Sequence, residues 1–183
     1  MNPEIPANGL TLILGGARSG KSAFAEQIGR EAGQPVLFIA TATAGDDEMA
    51  ERIRNHQASR PANWQTLEIP LGIGEKLTAP LPGIVIVDCI TLLVTNVMFS
   101  LPDEAPAAQV LGKVQTEIEA LIEAQARIGG QWLLVSNEVG LGLVPPYPLG
   151  RVYRDVLGWA NQRLARSAER VLFMVAGIPM VVK

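Results

Sequence analysis

The sequence predicts an α/β protein. Helices cover both faces of a mostly parallel sheet, three layers in all, and one antiparallel strand closes the C-terminal end. Three observations predict it. Short apolar runs alternate with helical patterns along the whole chain. Hydrophobic residues make up 48% of 183, and several runs are continuously apolar, as strands buried on both faces must be. The first such run leads straight into Gly15-Gly16-Ala17-Arg18-Ser19-Gly20-Lys21-Ser22, a phosphate-binding loop.

That octet fits G-x-x-x-x-G-K-[ST]. Its glycines let the backbone curl so that N–H groups converge on phosphate oxygens. The Lys reaches the β/γ-phosphates and the Ser hydroxyl ligates Mg²⁺. A chance glycine-rich turn is the alternative. A strand before (residues 10–14) and a helix after, whose N-terminus faces the anion, argue against it. The loop identifies a nucleoside triphosphate and leaves open what is done with it.

The elements follow in order. Residues 1–8 are a loose leader to one nucleotide-binding domain spanning residues 1–183. After strand 10–14 and the loop, a helix runs to about Ala32, with Gly33 as its C-cap and Pro35 preventing continuation. Residues 36–40 are a second buried strand, ending in the small polar edge Thr41-Ala42-Thr43. Ligands of open α/β sheets sit at such edges. Asp46-Asp47-Glu48 opens a helix to about Ser59, acidic where the dipole favours it. Residues 67–69 are a short third strand, and 71–79 a short helix. Residues 84–88 form an apolar strand ending in Asp88, and 91–99 a buried helix.

Residues 107–128 carry Val110, Leu111, Val114, Ile118, Leu121 and Ile122 at amphipathic helical spacing. Strand 132–136 leads to Asn137-Glu138-Val139-Gly140. Residues 140–150, rich in Gly and Pro, are a loop over the site edge, and 151–168 the last helix. Residues 171–175 and 180–182 read as strand, turn and antiparallel strand. Trp132 and Trp159 lie in apolar runs and belong to the core.

Composition excludes several classes. Net charge is −3 and the pI about 5.2, so nothing electrostatic argues for nucleic acid or an anionic membrane. A single cysteine, Cys89, rules out a disulfide framework and a Cys-based zinc site. No apolar run approaches a membrane span, and the polar start is no signal peptide, so a cytoplasmic protein is expected.

Asp88 is placed like a Walker B carboxylate, holding Mg²⁺ directly or through water. A strand-end Asp capping the next turn is the alternative. His56 is the only histidine. Met49, Ile53 and His56 share one helical face, and Arg52, His56 and Arg60 are successive i, i+4 neighbours. One reading is a half-buried helix histidine between solvated arginines. The other has the arginines holding phosphate and the imidazole acting as base or nucleophile. Nearby cations favour its neutral, nucleophilic form. Glu68 and Glu138 each follow a strand, as ligand, base or solvated loop acid. Arg18 either touches phosphate or points to solvent.

These motifs together resemble the bifunctional adenosylcobinamide kinase / adenosylcobinamide-phosphate guanylyltransferase family. The resemblance rests on the octet Gly15 to Ser22, Ile39-Ala40-Thr41-Ala42, Asp47-Glu48-Met49 and Arg52-Ile53. His56, Arg60-Pro61 and Trp64 follow at the family's spacing. Cys89-Ile90-Thr91, Thr95-Asn96, Ser136-Asn137-Glu138-Val139-Gly140, Val144-Pro145, Arg154-Asp155 and Asn161-Gln162-Arg163-Leu164-Ala165 complete it, from about Leu10 to Lys183. Asn55 stands where some relatives carry a second His, and Gln57 where a basic residue is common.

The resemblance implies a RecA-like P-loop NTPase fold, a homotrimer, and two reactions. ATP or GTP would phosphorylate the aminopropanol hydroxyl of adenosylcobinamide. GTP would then guanylylate His56, and the phosphorylated corrinoid would take the GMP to give adenosylcobinamide-GDP for cobalamin synthesis. Nucleotide contacts would map to Gly15, Gly16, Ala17, Arg18, Ser19, Gly20, Lys21 and Ser22, to Thr41, Ala42 and Thr43, to Gln57 and Arg60, and to Glu68 and Asp88. Mg²⁺ would lie at Ser22 and Asp88. The competing readings are a single-function small-molecule P-loop kinase without covalent GMP, and a RecA-like NTP-driven module.

Overall fold

The computed structural model describes residues 3–42, 61–77 and 83–183. The expected helix after Asp46, and with it Thr43, His56, Gln57 and Arg60, lies outside the described residues.

Seven strands form one sheet: β1 (Gly9–Gly15), β2 (Val36–Ala40), β3 (Gln65–Glu68), β4 (Ile84–Asp88), β5 (Gln131–Val135), β6 (Arg170–Val175) and β7 (Ile178–Val181). Their order is β3-β2-β4-β5-β1-β6-β7. Every neighbouring pair is parallel except β6 with β7. The helices are α1 (Lys21–Glu31), α2 (Ile73–Lys76), α3 (Ile90–Phe99), α4 (Ala107–Ile128) and α5 (Pro148–Ser167).

The period-two alternation of strands sorts the apolar runs into two cores. Val85, Val87, Trp132, Leu134, Leu10 and Leu12 pack with residues of α2, α3, α4 and α5 on one face. Ile84, Ile86, Leu133, Val135, Ile13 and Phe38 pack with Phe24 and Ala25 of α1 on the other. Both faces are covered, which is why these strands read as unbroken apolar runs rather than alternating ones. Each fully buried Leu or Ile contributes about 1.5–3 kcal/mol relative to an exposed one.

Several boundaries differ from the sequence reading, three of them instructively. The third strand begins two residues earlier and ends one earlier, because Gln65 to Glu68 pair in register with Leu37 to Ala40 of β2. It is an edge strand, and its Gln and Thr remain partly open to water. The last long helix begins at Pro148, inside the expected loop. Proline occupies its first turn, where a missing N–H costs nothing. The last strand, Ile178–Val181, begins two residues before the expected 180–182. The stretch from Pro3 also has contacts: Ile5 packs against the second core, and Gln131 Nε2 donates to the Pro6 carbonyl at 2.9 Å.

Two cross-links brace the helical layer. Glu117 of α4 accepts from the N–H groups of Gly72 and Ile73, at 2.8 and 3.1 Å, and Arg127 donates to the carbonyls of Gly74 and Leu77. The short α2 is thus held at both ends by α4. A second link is a forked pair, Arg163 of α5 to both oxygens of Glu119, at 2.6 and 2.7 Å.

Candidate nucleotide-binding site

All strands but β7 run the same way, so the C-terminal ends of β1, β2, β3, β4 and β5 share one edge of the sheet. The phosphate-binding loop leaves that edge at Gly15, where a Cβ would come within 2.7 Å of the Met174 carbonyl. The chain passes through Arg18 at φ 58° and Gly20 at φ 95° and turns directly into α1. No side chain caps the helix, and its first turn carries no acid. Its N–H groups and dipole therefore face whatever the loop holds, the requirement for binding an anion.

The turn between β6 and β7 supports the loop from beside it. Gly177 N donates to the Ser19 carbonyl at 3.0 Å, and a Cβ on Gly20 would sit 3.2 Å from the Gly177 Cα. Lys21 lies within the loop, 6% exposed, its Nζ donating to the Gly16 carbonyl at 2.6 Å. Burial lowers its pKa, while Cys89 and then Asp88 pull it back up. The lysine thus senses the end of β4.

Asp88 ends β4, with β5 between it and β1. Two inter-strand steps put it about 10 Å from the end of β1. The next residue, Cys89, is gripped by Thr41. The Thr41 hydroxyl accepts from Cys89 N at 2.7 Å and donates to the Cys89 carbonyl at 2.8 Å. Thr41 N also donates to the Asp88 carbonyl, at 3.1 Å. Burial, then Asp88, push the Cys89 thiol up to about 11, so it is neutral at physiological pH.

A second network ties the end of β5 to the loop. Glu138 N donates to the Gly15 carbonyl at 3.0 Å. Buried Ser136 donates to Asn161 Oδ1 at 2.7 Å. Asn161 Nδ2 returns to the Asn137 carbonyl at 3.0 Å, and Thr91 Oγ1 accepts from Asn137 N at 2.7 Å. The Glu138 carboxylate accepts from Gly140 N, closing its own turn.

The structure therefore gathers Gly15, Gly16, Ala17, Arg18, Ser19, Gly20, Lys21, Ser22, Thr41, Asp88 and Glu138 on one edge. Arg18 is exposed on the rim of the loop. Thr41 is 0% exposed with its hydroxyl engaged by Cys89, so its side chain braces the end of β4. Glu68 ends β3, four strands from β1, about 19 Å along the edge, and stands apart from the loop. Trp64 stacks on Phe38, ring centroids 6.4 Å apart, and packs against Gly29 of α1, a structural role. Sequence reasoning assigned no role to Asn96, Asn161 or Gly177. The signal was present for Asn161, a polar residue amid the apolar stripe Leu157, Ala160 and Leu164.

Among the described residues no group of three or more His, Cys, Asp or Glu side chains converges. A hydroxyl from Ser22 and a carboxylate from Asp88 are hard oxygen donors. They fit an ion that keeps several waters and takes the rest of its ligands from phosphate, as Mg²⁺ does. A cavity of about 310 Å³ lies elsewhere, between α1 and the N-terminal stretch, lined by Ile5, Phe24, Ile28, Glu31 and Gln131 among others. It touches none of the loop.

Residues 11–182 match the family described as cobinamide kinase / cobinamide phosphate guanyltransferase. The chain belongs to that family. Its similarity to other members extends over nearly the whole length. The bifunctional adenosylcobalamin biosynthesis protein CobP of Pseudomonas aeruginosa is 47% identical over 174 residues, 94% of this chain and 96% of its own. The corresponding CobU proteins of Salmonella typhimurium and Escherichia coli are 42% and 40% identical over 181 residues, 95% of this chain and 99% of theirs. The flagellar accessory protein FlaH from Methanocaldococcus jannaschii shares the fold, with a TM-score of 0.52 at 14% identity, over 98% of this chain and 80% of its own. The mostly parallel sheet flanked by helices, with one antiparallel C-terminal strand, expected from the sequence is the one observed.

Proposed function

We propose that this protein, as a cobinamide kinase / cobinamide phosphate guanyltransferase, performs its second reaction through a covalent GMP on His56. In the first reaction the aminopropanol hydroxyl of adenosylcobinamide attacks the γ-phosphorus of ATP or GTP. The nucleoside diphosphate leaves, and the hydroxyl proton is lost to a base. In the second, an imidazole nitrogen of His56 attacks the α-phosphorus of GTP and pyrophosphate leaves. A phosphate oxygen of adenosylcobinamide phosphate then attacks the same phosphorus, freeing His56 and giving adenosylcobinamide-GDP.

The observation that carries the reading is the edge itself: an uncapped helix N-terminus with Lys21, facing Asp88 across β5. Phosphoryl transfer is mostly positioning and charge neutralisation. Lys21 and the loop N–H groups would hold the β- and γ-phosphates. Ser22 and Asp88 would hold Mg²⁺, which when bound neutralises charge developing on the phosphate oxygens. Histidine suits the second reaction because its phosphoramidate is itself a good donor, splitting one hard step into two. Arg52 and Arg60, each one helical turn from His56 in the sequence, would offset charge on the transferring group.

A cytoplasmic homotrimer, each chain one nucleotide-binding domain, completes the proposal. Among the described residues no helix is long and apolar enough to cross a membrane. The test is incubation with α-labelled GTP. Label that is acid-labile and base-stable should appear on the wild type and not on His56→Ala. Equal labelling of both would remove His56 as the nucleophile, and no label on either would favour a single-function kinase.

A further inference from the structure

The end of β4 is held by polar side chains bonded to the protein's own backbone. Thr41 follows β2, the strand that pairs with β4 so that Ala40 lies opposite Asp88. Three hydrogen bonds join Thr41 to the Asp88–Cys89 backbone: one from its own N–H, at 3.1 Å, and two through its hydroxyl, at 2.7 and 2.8 Å. Such a hydroxyl has one donor and is using it.

Thr41 is itself held from behind. Asn96, on α3, spends both N–H bonds of its amide, one on the Thr41 carbonyl at 2.8 Å and one on the Pro70 carbonyl at 3.1 Å. Helix α3 starts one residue after Cys89, so Asn96 reaches back from the same segment that Thr41 grips. The result is a closed ring of hydrogen bonds running from β4 through Thr41 to Asn96 and back along α3.

We infer that Thr41 and Asn96 are positioning residues: through this ring they aim the Asp88 carboxylate at the metal of the metal–nucleotide complex. The inference rests on the reading of Asp88 as a Mg²⁺ ligand. A ligand's outer partners commonly matter about 10- to 100-fold in metal affinity, and here the partner acts on the backbone that carries the ligand. Thr41 contributes two bonds that valine, equal in shape, cannot make. Serine keeps both. Asn96→Asp keeps the size of the side chain and removes the donors.

The experiment measures the affinity of a fluorescent GTP analogue with Mg²⁺ and with EDTA, alongside thermal melts. Wild type should bind more tightly with Mg²⁺. Thr41→Val and Asn96→Asp should each lose about tenfold of that metal-dependent gain, with affinity in EDTA unchanged, and Thr41→Ser should restore it. Asp88→Asn should abolish the gain. If Asp88→Asn loses it while the folded Thr41→Val and Asn96→Asp keep it, the ring has no positioning role and the reading of Asp88 stands. If the variants weaken binding equally in EDTA, the role is only structural and the inference fails. If Asp88→Asn keeps the gain, the reading of Asp88 fails and the inference falls with it. Should Thr41→Val not fold, Asn96→Asp, at a partly exposed position, decides alone.

Discussion

The ammonium of Lys21 donates to the carbonyl of Gly16 at 2.6 Å, inside the loop that it serves. That bond occupies a buried cation with a neutral acceptor. A phosphate oxygen is a better one, because its negative charge adds coulombic attraction to the ammonium, strong where water is excluded. Binding a triphosphate therefore exchanges a weaker bond for a stronger one at a charge already desolvated. Hydrogen bonds to charged groups contribute about 1.5–3 kcal/mol. Lys21→Ala should weaken a GTP analogue about 10- to 100-fold in a fluorescence titration, and depress kinase and guanylyltransferase rates together.

Gly74 tests how the helical layer is assembled. A Cβ there would stand 2.3 Å from the Ala120 carbonyl of α4, and backbone cannot swing away as a side chain can. Gly74→Ala should destabilise the protein by about 1–3 kcal/mol, the usual cost of overpacking. Urea denaturation should show a lower midpoint with an unchanged slope.

Cys89 predicts a pH dependence. Burial, then the Asp88 charge, push its thiol up to about 11 in the folded protein, from an ordinary 9.0. The protonated form is the one that folding favours. Its stabilising contribution is thus complete below the unfolded pKa and is lost as pH rises from about 9 toward 11. Only thiolate attacks a disulfide reagent. At pH 8 the folded protein should react far more slowly than the urea-unfolded chain, and its rate should climb through pH 10.

Much of this was legible in the sequence. The strands Val36–Ala40 and Ile84–Asp88 and the helix Ala107–Ile128 have the boundaries that hydrophobic pattern assigned, because each is flanked by strong breakers such as Pro35, Pro106 and Gly129. Asp88 was legible as the charge ending an apolar strand. The register of β3 was not, since Gln65 and Thr66 sit on a sheet edge where little is buried and pattern carries little information. Pro148 was read as loop although proline suits a first helical turn. The partner of Thr41 was not legible: sequence shows a small polar residue at a strand end, and only the pairing of β2 with β4 shows that its hydroxyl faces Cys89. Gly177 brackets Ser19 from more than 150 positions away, a separation at which one chain offers no local signal.

The central claim is that GMP passes through His56 on its way to the corrinoid. The direct measurement is a chase. Protein labelled with α-labelled GTP is freed of nucleotide and then given adenosylcobinamide phosphate alone. The account predicts that label leaves the protein and appears in adenosylcobinamide-GDP in matching amount, and that His56→Ala carries none to transfer. Label that stays on the protein while product forms only when fresh GTP is added would contradict it.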